Sequence, residues 1–340
     1  MAREDTRTEQ PTANAGRPDG GTSGKPAAES PASKNFFATT PGLVLGALIS
    51  CALWGSAFPM IKIGNPLFGI ATGDAASQIL FAGIRFTISG ILTIVAVSLV
   101  RRRPLCPRTG DDFRKALILS LFQTAGQYAL FYPGVSRSSG ITASIIEASN
   151  VFITVFIAAL VFRSERLTSR KLLGCAAGFA GVVLVNIGAS SVGDTPLGSM
   201  LVLASTVCAG TSACLTQRYA ADHDPVMLSG WQFLMGGVTL VCAGWLAGGH
   251  VAPSGPEALG VLLYLGFLSA AAYGLWSVLL SHNPVSRVTV FGFMNPVFGV
   301  ALSALLLRES PAAGPVRLVA ALVLISLGVI VVNRAPTTEA

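Results

Sequence analysis

The chain has 340 residues, of which 52% are hydrophobic and only 11% carry a charged side chain. Soluble domains carry roughly 25% charged residues, so this composition excludes an ordinary water-soluble enzyme or binding domain. The net charge of +7 does not indicate nucleic-acid binding, because the lysines and arginines form short clusters between long apolar runs, as in multi-pass membrane proteins.

The first segment of the chain, residues 1–41, is rich in Ala, Gly, Ser, Thr and Pro and has no sustained apolar run. A segment of this composition cannot bury enough apolar surface to offset the entropy of ordering it. We therefore expect a disordered cytoplasmic tail over 1–41, and no cleavable signal peptide within it.

Ten apolar runs follow, each about as long as the roughly 20 residues that cross a bilayer. With the N-terminus inside, eighteen Lys and Arg residues fall on the cytoplasmic side and three on the other. The sequence therefore predicts an all-α integral protein of the cell membrane, with ten transmembrane helices and both termini in the cytoplasm. The runs lie at 43–64, 78–100, 113–133, 140–162, 171–189, 198–218, 226–247, 256–281, 286–307 and 315–333.

The two halves of the chain repeat one another. Four short matches occur in the same order in both halves, with 145 to 156 residues between matched positions. Because each half has an odd number of helices, the halves enter the membrane in opposite directions, an arrangement that permits alternating access. We therefore predict two inverted five-helix repeats, 42–189 and 196–334. The matches are Ser56 with Ser212, Arg85 with Gln232, Tyr128 with Tyr273, and the GVVLVN segment from Gly181 with GVIVVN from Gly328.

Several short motifs carry a family resemblance. They are Trp54-Gly55-Ser56-Ala57-Phe58 with Lys62, the FAGIRF segment from Phe81, Ser164-Glu165-Arg166-Leu167-Thr168, and Asn295-Pro296-Val297-Phe298 with Leu307-Arg308-Glu309. In this order, and over about 42–334, they resemble the EamA-like branch of the drug/metabolite transporter superfamily. The resemblance implies a ten-helix carrier that exports small metabolites, often amino acids or related compounds.

Three ionisable side chains fall inside the predicted spans, where an unpaired charge is costly. Arg85 lies deep in the second run and is expected to face the bundle interior, where it holds a substrate carboxylate or phosphate or pairs with a structural acid. Glu147 is a candidate proton carrier or substrate contact, with pairing to Arg85 as the structural alternative. Lys62 lies near the end of the first run, where it faces the substrate or snorkels to the interface.

Uncharged polar and aromatic side chains in the spans complete the candidate binding site. Such groups either line a central cavity or join helices to each other. The fixed charge of Arg85 favours an anionic or zwitterionic small molecule, with amino acids as the leading candidates. In the repeat alignment, Arg85 and Gln232 are expected to approach each other at the centre. The uncharged candidates are Trp54, Tyr128, Gln232, Tyr273 and Asn295.

Enzyme signatures are absent from the sequence. It contains no phosphate-binding loop, HExxH helix, GxSxG nucleophile motif or GxGxxG motif after a strand, and its six cysteines lack CxxC spacing. We therefore expect a transporter rather than an enzyme, with no cofactor, no metal and no nucleic-acid partner. The expected partners are a small-molecule substrate and membrane lipids. Assembly into a homodimer is left as an open alternative. Two alternative functions also stay open: a lipid-carrier flippase of the same fold, and a membrane-embedded enzyme.

Overall fold

The computed structural model describes residues 36–71, 73–138, 140–186, 195–307 and 315–334, and the regular secondary structure in these residues is helical throughout. Its elements in chain order are a 3-10 helix (Phe36–Ala38), α1 (Thr40–Leu67), α2 (Ala75–Arg101), α3 (Gly110–Leu119), a π-helix (Ser120–Gly126), α4 (Gln127–Val135), α5 (Gly140–Ala148), α6 (Asn150–Phe156), a second π-helix (Ile157–Val161), α7 (Ser169–Asn186), α8 (Pro196–Tyr219), α9 (Pro225–Leu246), α10 (Pro256–His282), α11 (Val285–Thr289), a second 3-10 helix (Val290–Phe293), α12 (Met294–Leu307) and α13 (Pro315–Asn333).

Irregular helical turns join several of these elements into longer runs. A π-helix connects α3 to α4, a 3-10 helix connects α11 to α12, and α5 meets α6 at Ser149. Such turns change the direction in which the following side chains point, and they are frequent at functional sites. The first π-helix ends immediately before Gln127 and Tyr128, the opening residues of α4.

Six helical segments in the described residues are long and apolar enough to cross a membrane, namely α1, α2, α8, α9, α10 and the run Val285–Leu306. Large apolar side chains on these helices face outward. Val100 is 84% exposed, Leu246 is 77% exposed and Leu45 is 52% exposed. Water disfavours such surface, whereas hydrocarbon does not, so the exposed faces are those of a bundle that sits in lipid.

The first helix begins earlier than the sequence predicts. α1 starts at Thr40 rather than near residue 43, because Thr39 caps it: its Oγ1 accepts a hydrogen bond from the Gly42 N–H at 3.2 Å. Pro41 in the first turn needs no hydrogen-bond partner for its nitrogen. Residues 36–41, assigned to the disordered tail, are therefore mostly helical, and residues 1–35 lie outside the described part of the chain.

Glycines allow two pairs of helices to pack with their backbones in contact. A Cβ atom on Gly83 of α2 would lie 2.5 Å from the Val241 nitrogen of α9. On α7, a Cβ on Gly174 would lie 2.8 Å from the Gly328 carbonyl oxygen of α13, and one on Gly328 would meet the Gly178 nitrogen at 2.8 Å. The GxxxG pattern from Gly174 to Gly178 therefore serves close helix packing.

The loops at residues 102–109, 162–168, 220–224 and 283–284 meet at one end of the bundle, which we call the basic end. Arg101 forms an ion pair with Asp224, and Gln217 Nε2 donates a hydrogen bond to the Asn283 carbonyl at 2.9 Å. At the opposite end, backbone hydrogen bonds join the loop after α1 to the loop before α10, with Ala252 N donating to the Phe68 carbonyl at 3.1 Å. Contacts between the first and second halves of the chain therefore occur at both ends.

A polar cluster at the basic end fastens the start of α3 to the loop between α8 and α9. Thr109 and Asp112 cap α3 reciprocally, since each side chain accepts the other's backbone N–H. The second carboxylate oxygen of Asp112 lies 2.5 Å from His223 Nδ1. Burial alone would raise the pKa of Asp112. Hydrogen bonds from His223 and from the Thr109 and Arg108 backbone outweigh it and lower the pKa to about 2.

Replacing Asp112 with Ala is expected to destabilise the purified protein by about 1–2 kcal/mol at neutral pH, because the cap and the His223 contact are both lost. The depressed pKa means that the carboxylate stabilises the fold fully above about pH 4 and loses this effect as the pH falls through about 2. Thermal unfolding in detergent at several pH values measures this difference.

The matched control is Asp222→Ala, since Asp222 is exposed in the same loop region. It should unfold like the wild type at every pH. Suppose the difference in unfolding temperature between wild type and Asp112→Ala is the same at pH 2 as at neutral pH. The carboxylate is then not the source of the stabilisation.

Candidate functional site

Five aromatic side chains from both halves of the chain meet in the interior, and we call them the central cluster: Trp54, Phe86, Tyr128, Phe233 and Tyr273. The Tyr128 and Tyr273 hydroxyls are hydrogen-bonded at 3.0 Å. The Phe86 and Phe233 rings are stacked, with centroids 5.2 Å apart and planes 1° from parallel. Trp54 meets the Tyr273 ring edge-on at 4.8 Å, so helices α1, α2, α4, α9 and α10 all reach this point.

Arg85 lies against the central cluster. It is 10 residues, or roughly 15 Å, from the start of α2, and it is 5% exposed. Its guanidinium carbon lies 4.3 Å from the Phe86 ring centroid and 5.9 Å from that of Tyr128. Among the described residues no carboxylate pairs with it, and its buried Nε has no hydrogen-bond partner. Since an unpaired buried guanidinium is costly, this group is available to an anionic ligand.

Glu147, near the end of α5, is half-buried. No ion pair joins it to Arg85 in the described chain, so the structural alternative of a direct Arg85–Glu147 pair is not observed. Arg85 and Glu147 are therefore two separate ionisable side chains, not an ion pair, in the described part of the chain.

The remaining polar candidates are placed differently from one another. Gln232 is fully buried. Its Oε1 accepts a hydrogen bond from Thr124 Oγ1 at 2.7 Å, while its Nε2 has no partner in the described residues. Asn295 on α12 also has a buried oxygen that no described residue bonds. Lys62 is exposed near the end of α1, where the snorkelling alternative places it.

Arg85 and Gln232 are expected from the repeat alignment to approach each other at the centre, but no hydrogen bond joins them. The contact between α2 and α9 is made by the next residue of each helix, since the Phe86 and Phe233 rings stack. Successive residues on a helix point about 100° apart. Gln232 accepts a hydrogen bond from Thr124 instead, and the Arg85 guanidinium lies 4.3 Å from the Phe86 ring centroid.

Comparison with known proteins decides the family. The EamA-like transporter family model matches the chain twice, over residues 41–187 and 196–334. This chain belongs to the EamA-like transporter family. It is therefore a multi-pass membrane protein of a transporter family, and such proteins take small-molecule substrates.

Curated relatives of this EamA-like transporter carry transporter names. A "Probable amino-acid metabolite efflux pump" of Salmonella typhimurium is 30% identical over 78% of this chain and 86% of its own length. An "Uncharacterized transporter" of Archaeoglobus fulgidus is 26% identical over 84% of this chain and 96% of its own. A solved structure titled "Crystal structure of protein" superposes with a TM-score of 0.69 at 19% identity, over 86% of this chain and 96% of its own, which supports the fold.

Two of the cavities in the described part of this EamA-like transporter are lined by neither Arg85 nor the central cluster. The first, about 310 Å³, lies at the basic end, and the second, about 280 Å³, is an apolar crevice between α5, α7 and α8. The first is lined by Ser164, Glu165, Gln217, Leu280, Ser281, His282, Asn283 and Pro284. The second is lined by Ile145, Ile146, Ser149, Phe179, Ser199, Met200 and Leu203.

Sequence reasoning missed three aromatic side chains at the site. Phe86 and Phe233 directly follow the matched pair Arg85 and Gln232, so the repeat alignment held the signal for their contact. Trp276, 9% exposed, meets Trp54 at 4.9 Å. It lies three residues after Tyr273, which puts both side chains on one face of α10.

Proposed function

We propose that this protein is a secondary transporter, not an enzyme, and exports small polar metabolites such as amino acids by alternating access of two inverted five-helix repeats, 42–189 and 196–334. The observation that carries the proposal is Arg85, a buried cation without a carboxylate partner in the described chain, set against aromatic side chains from both halves. Such a group selects for an anion or a zwitterion.

Contacts between α2 and α9 support the inverted repeats. Gly83 and Gly230 are 147 residues apart in sequence, and so are Gly90 and Gly237. A Cβ on Gly83 would meet the Gly237 carbonyl oxygen at 2.9 Å, and one on Gly90 would meet the Gly230 carbonyl oxygen at 2.8 Å. Exchanging the halves turns the residue pair Gly83–Gly237 into the pair Gly230–Gly90, so the same residue pairs correspond across the halves, which supports a two-fold axis between α2 and α9.

The pair α7 and α13 supports the same axis. Gly174 and Ala321 are 147 residues apart, as are Gly181 and Gly328. A Cβ on Gly174 would meet the Gly328 carbonyl oxygen at 2.8 Å, and one on Gly181 would meet the Ala321 carbonyl oxygen at 2.8 Å. The same offset therefore relates the contacts of both helix pairs, which favours two halves that can exchange conformations.

Substrate class follows from the charge at the centre. The repeat alignment matches Arg85 in the first half with the neutral Gln232 in the second. The two positions together therefore carry one positive charge. Glu147, in its ionised form, supplies a separate negative charge. Amino acids carry both charges, and the Salmonella typhimurium relative is named as a probable amino-acid metabolite efflux pump. The apolar crevice has no basic lining residue, so it does not favour a lipid-carrier flippase.

Flux through the purified protein in sealed liposomes tests the proposed function. The panel contains amino acids, dicarboxylates, organic cations and neutral sugars, each compared with protein-free liposomes. We expect flux for at least one amino acid and none for the organic cations. Transport confined to cations or sugars would contradict the role of Arg85.

A topology prediction follows from the distribution of Lys and Arg. A reporter fused after Ala340 should be cytoplasmic, and one inserted between residues 188 and 196 should be external, because the charge bias puts these points on opposite sides. Paired alkaline phosphatase and fluorescent-protein fusions read the two sides. A cytoplasmic signal from the inserted reporter would rule out two halves of opposite orientation.

A further inference from the structure

The cavity at the basic end lies between the two halves. Ser164 and Glu165 contribute from the loop before α7, Gln217 from α8, and the end of α10 supplies the remaining wall. Its volume of about 310 Å³ is within the range of small-molecule sites. Most of its lining side chains are polar or ionisable, which suits a hydrated or zwitterionic solute rather than a lipid chain.

Polar contacts across the halves hold this cavity in its present shape. Glu165 Oε1 accepts a hydrogen bond from the Ser286 N–H at 3.0 Å, and the Ser286 hydroxyl binds the other carboxylate oxygen. Lys171 Nζ lies 2.5 Å from that same oxygen. The side chain of Glu165 is 9% exposed, so these partners satisfy a largely buried carboxylate. Separating the halves at this end would free Glu165 from Ser286.

One face of α10 leads from the cavity to the central cluster. Leu280 lines the cavity, Trp276 lies one helical turn away, and Tyr273 lies one turn further, roughly 10 Å from Leu280 along the axis. Trp276 meets Trp54 at 4.9 Å, and Trp54 meets Tyr273 at 4.8 Å. These aromatic rings therefore lie between the cavity and the Tyr128–Tyr273 hydrogen bond.

We propose that this cavity is a second substrate-binding site, an inner vestibule that holds a zwitterionic amino acid before the Trp54–Trp276 contact opens toward Arg85. This inference rests on the proposed transport function. Glu165 supplies the one carboxylate of the lining and accepts the ammonium group of the solute once Ser286 moves away. The Gln217 amide, which uses one N–H on Asn283, has a second N–H for the solute carboxylate.

Thiol labelling from the basic end tests the vestibule. Ser281→Cys is made in a Cys106→Ser, Cys242→Ser background, which removes the two exposed native cysteines. The reagent is a membrane-impermeant cationic methanethiosulfonate. The competing solute is a mixture of the standard L-amino acids without cysteine, whose thiol would consume the reagent, and mannitol is the osmotic control. We expect the mixture to slow labelling at least threefold and the adduct to reduce amino-acid flux at least fivefold.

The matched control keeps Cys106, which is exposed at the same end but outside the cavity, and replaces only Cys242. Its labelling should be unaffected by amino acids and should leave flux unchanged. The proposed second binding site is contradicted if Ser281→Cys is not labelled. It is also contradicted if the labelling neither responds to amino acids nor lowers flux. If unlabelled wild type carries no amino acid at all, the proposed function fails instead. Ser164→Cys, at a lining residue that is given no contact with the solute, provides the same test should Ser281→Cys not fold.

Discussion

Replacing Arg85 with Gln is expected to reduce transport of an anionic or zwitterionic solute about thirtyfold or more, while the protein still inserts and folds. A hydrogen-bonded charge in a poorly hydrated site is worth about 2 kcal/mol, which corresponds to roughly thirtyfold in binding. Folding is spared because Arg85 has no ion pair to lose within the described chain and its neighbours are aromatic rings. Initial flux rates in liposomes, normalised to folded protein, measure the effect.

Two further variants interpret this result. Arg85→Lys should keep part of the transport, because the charge remains while the planar fork that binds a carboxylate through two hydrogen bonds is lost. Arg114→Gln is the matched control, since its side chain is 73% exposed on α3, and it should transport normally. Normal flux in Arg85→Gln would show that the buried cation has a structural role, and the inference about substrate charge would fall with it.

The sequence predicted the placement of Arg85 well, because depth along an apolar helix is a local property. About eight residues into an apolar run, a side chain is too far from either interface to snorkel, and the structure buries it to 5% exposure. The Tyr128 and Tyr273 match was also informative, since the two hydroxyls bond directly at 3.0 Å. Under the proposed two-fold axis, repeat alignment identifies such pairs because residues near the axis would meet their own counterparts.

Other features depend on tertiary packing and left no clear pattern in the sequence. The π-helix at Ser120–Gly126 occupies an ordinary apolar run, and its extra residue per turn changes which face the following residues occupy. The basic-end cavity combines Glu165, Gln217 and Asn283, which are far apart in sequence and follow no spacing rule. The absence of an Arg85–Glu147 pair could not be read from the sequence either, because it depends on the relative rotation of α2 and α5.

Replacing Gly90 with Ala is expected to lower the stability of the purified protein by about 1–3 kcal/mol, and Gly90→Leu should prevent recovery of folded protein. A Cβ at this position would lie 2.5 Å from the Leu234 nitrogen and 2.8 Å from the Gly230 carbonyl oxygen. Both are backbone atoms of α9, so no side-chain rotation relieves the overlap and the helices must separate. Unfolding temperature in detergent and the monodisperse fraction in size-exclusion chromatography report the loss.

Gly260→Ala is the matched control for the same chemical change on another helix. Gly260 is exposed on α10, and no atom lies within 4 Å of the added Cβ. Since Ala is favoured over Gly by about 1 kcal/mol inside a helix, this variant should unfold at the same or a higher temperature than wild type. Helix propensity favours Ala at both positions, so a loss of stability in Gly90→Ala alone is due to the backbone contact. An unfolding temperature of Gly90→Ala equal to that of Gly260→Ala would mean that α2 and α9 are not in backbone contact at Gly90, and the two-fold axis inferred from the glycine contacts would lose its main support.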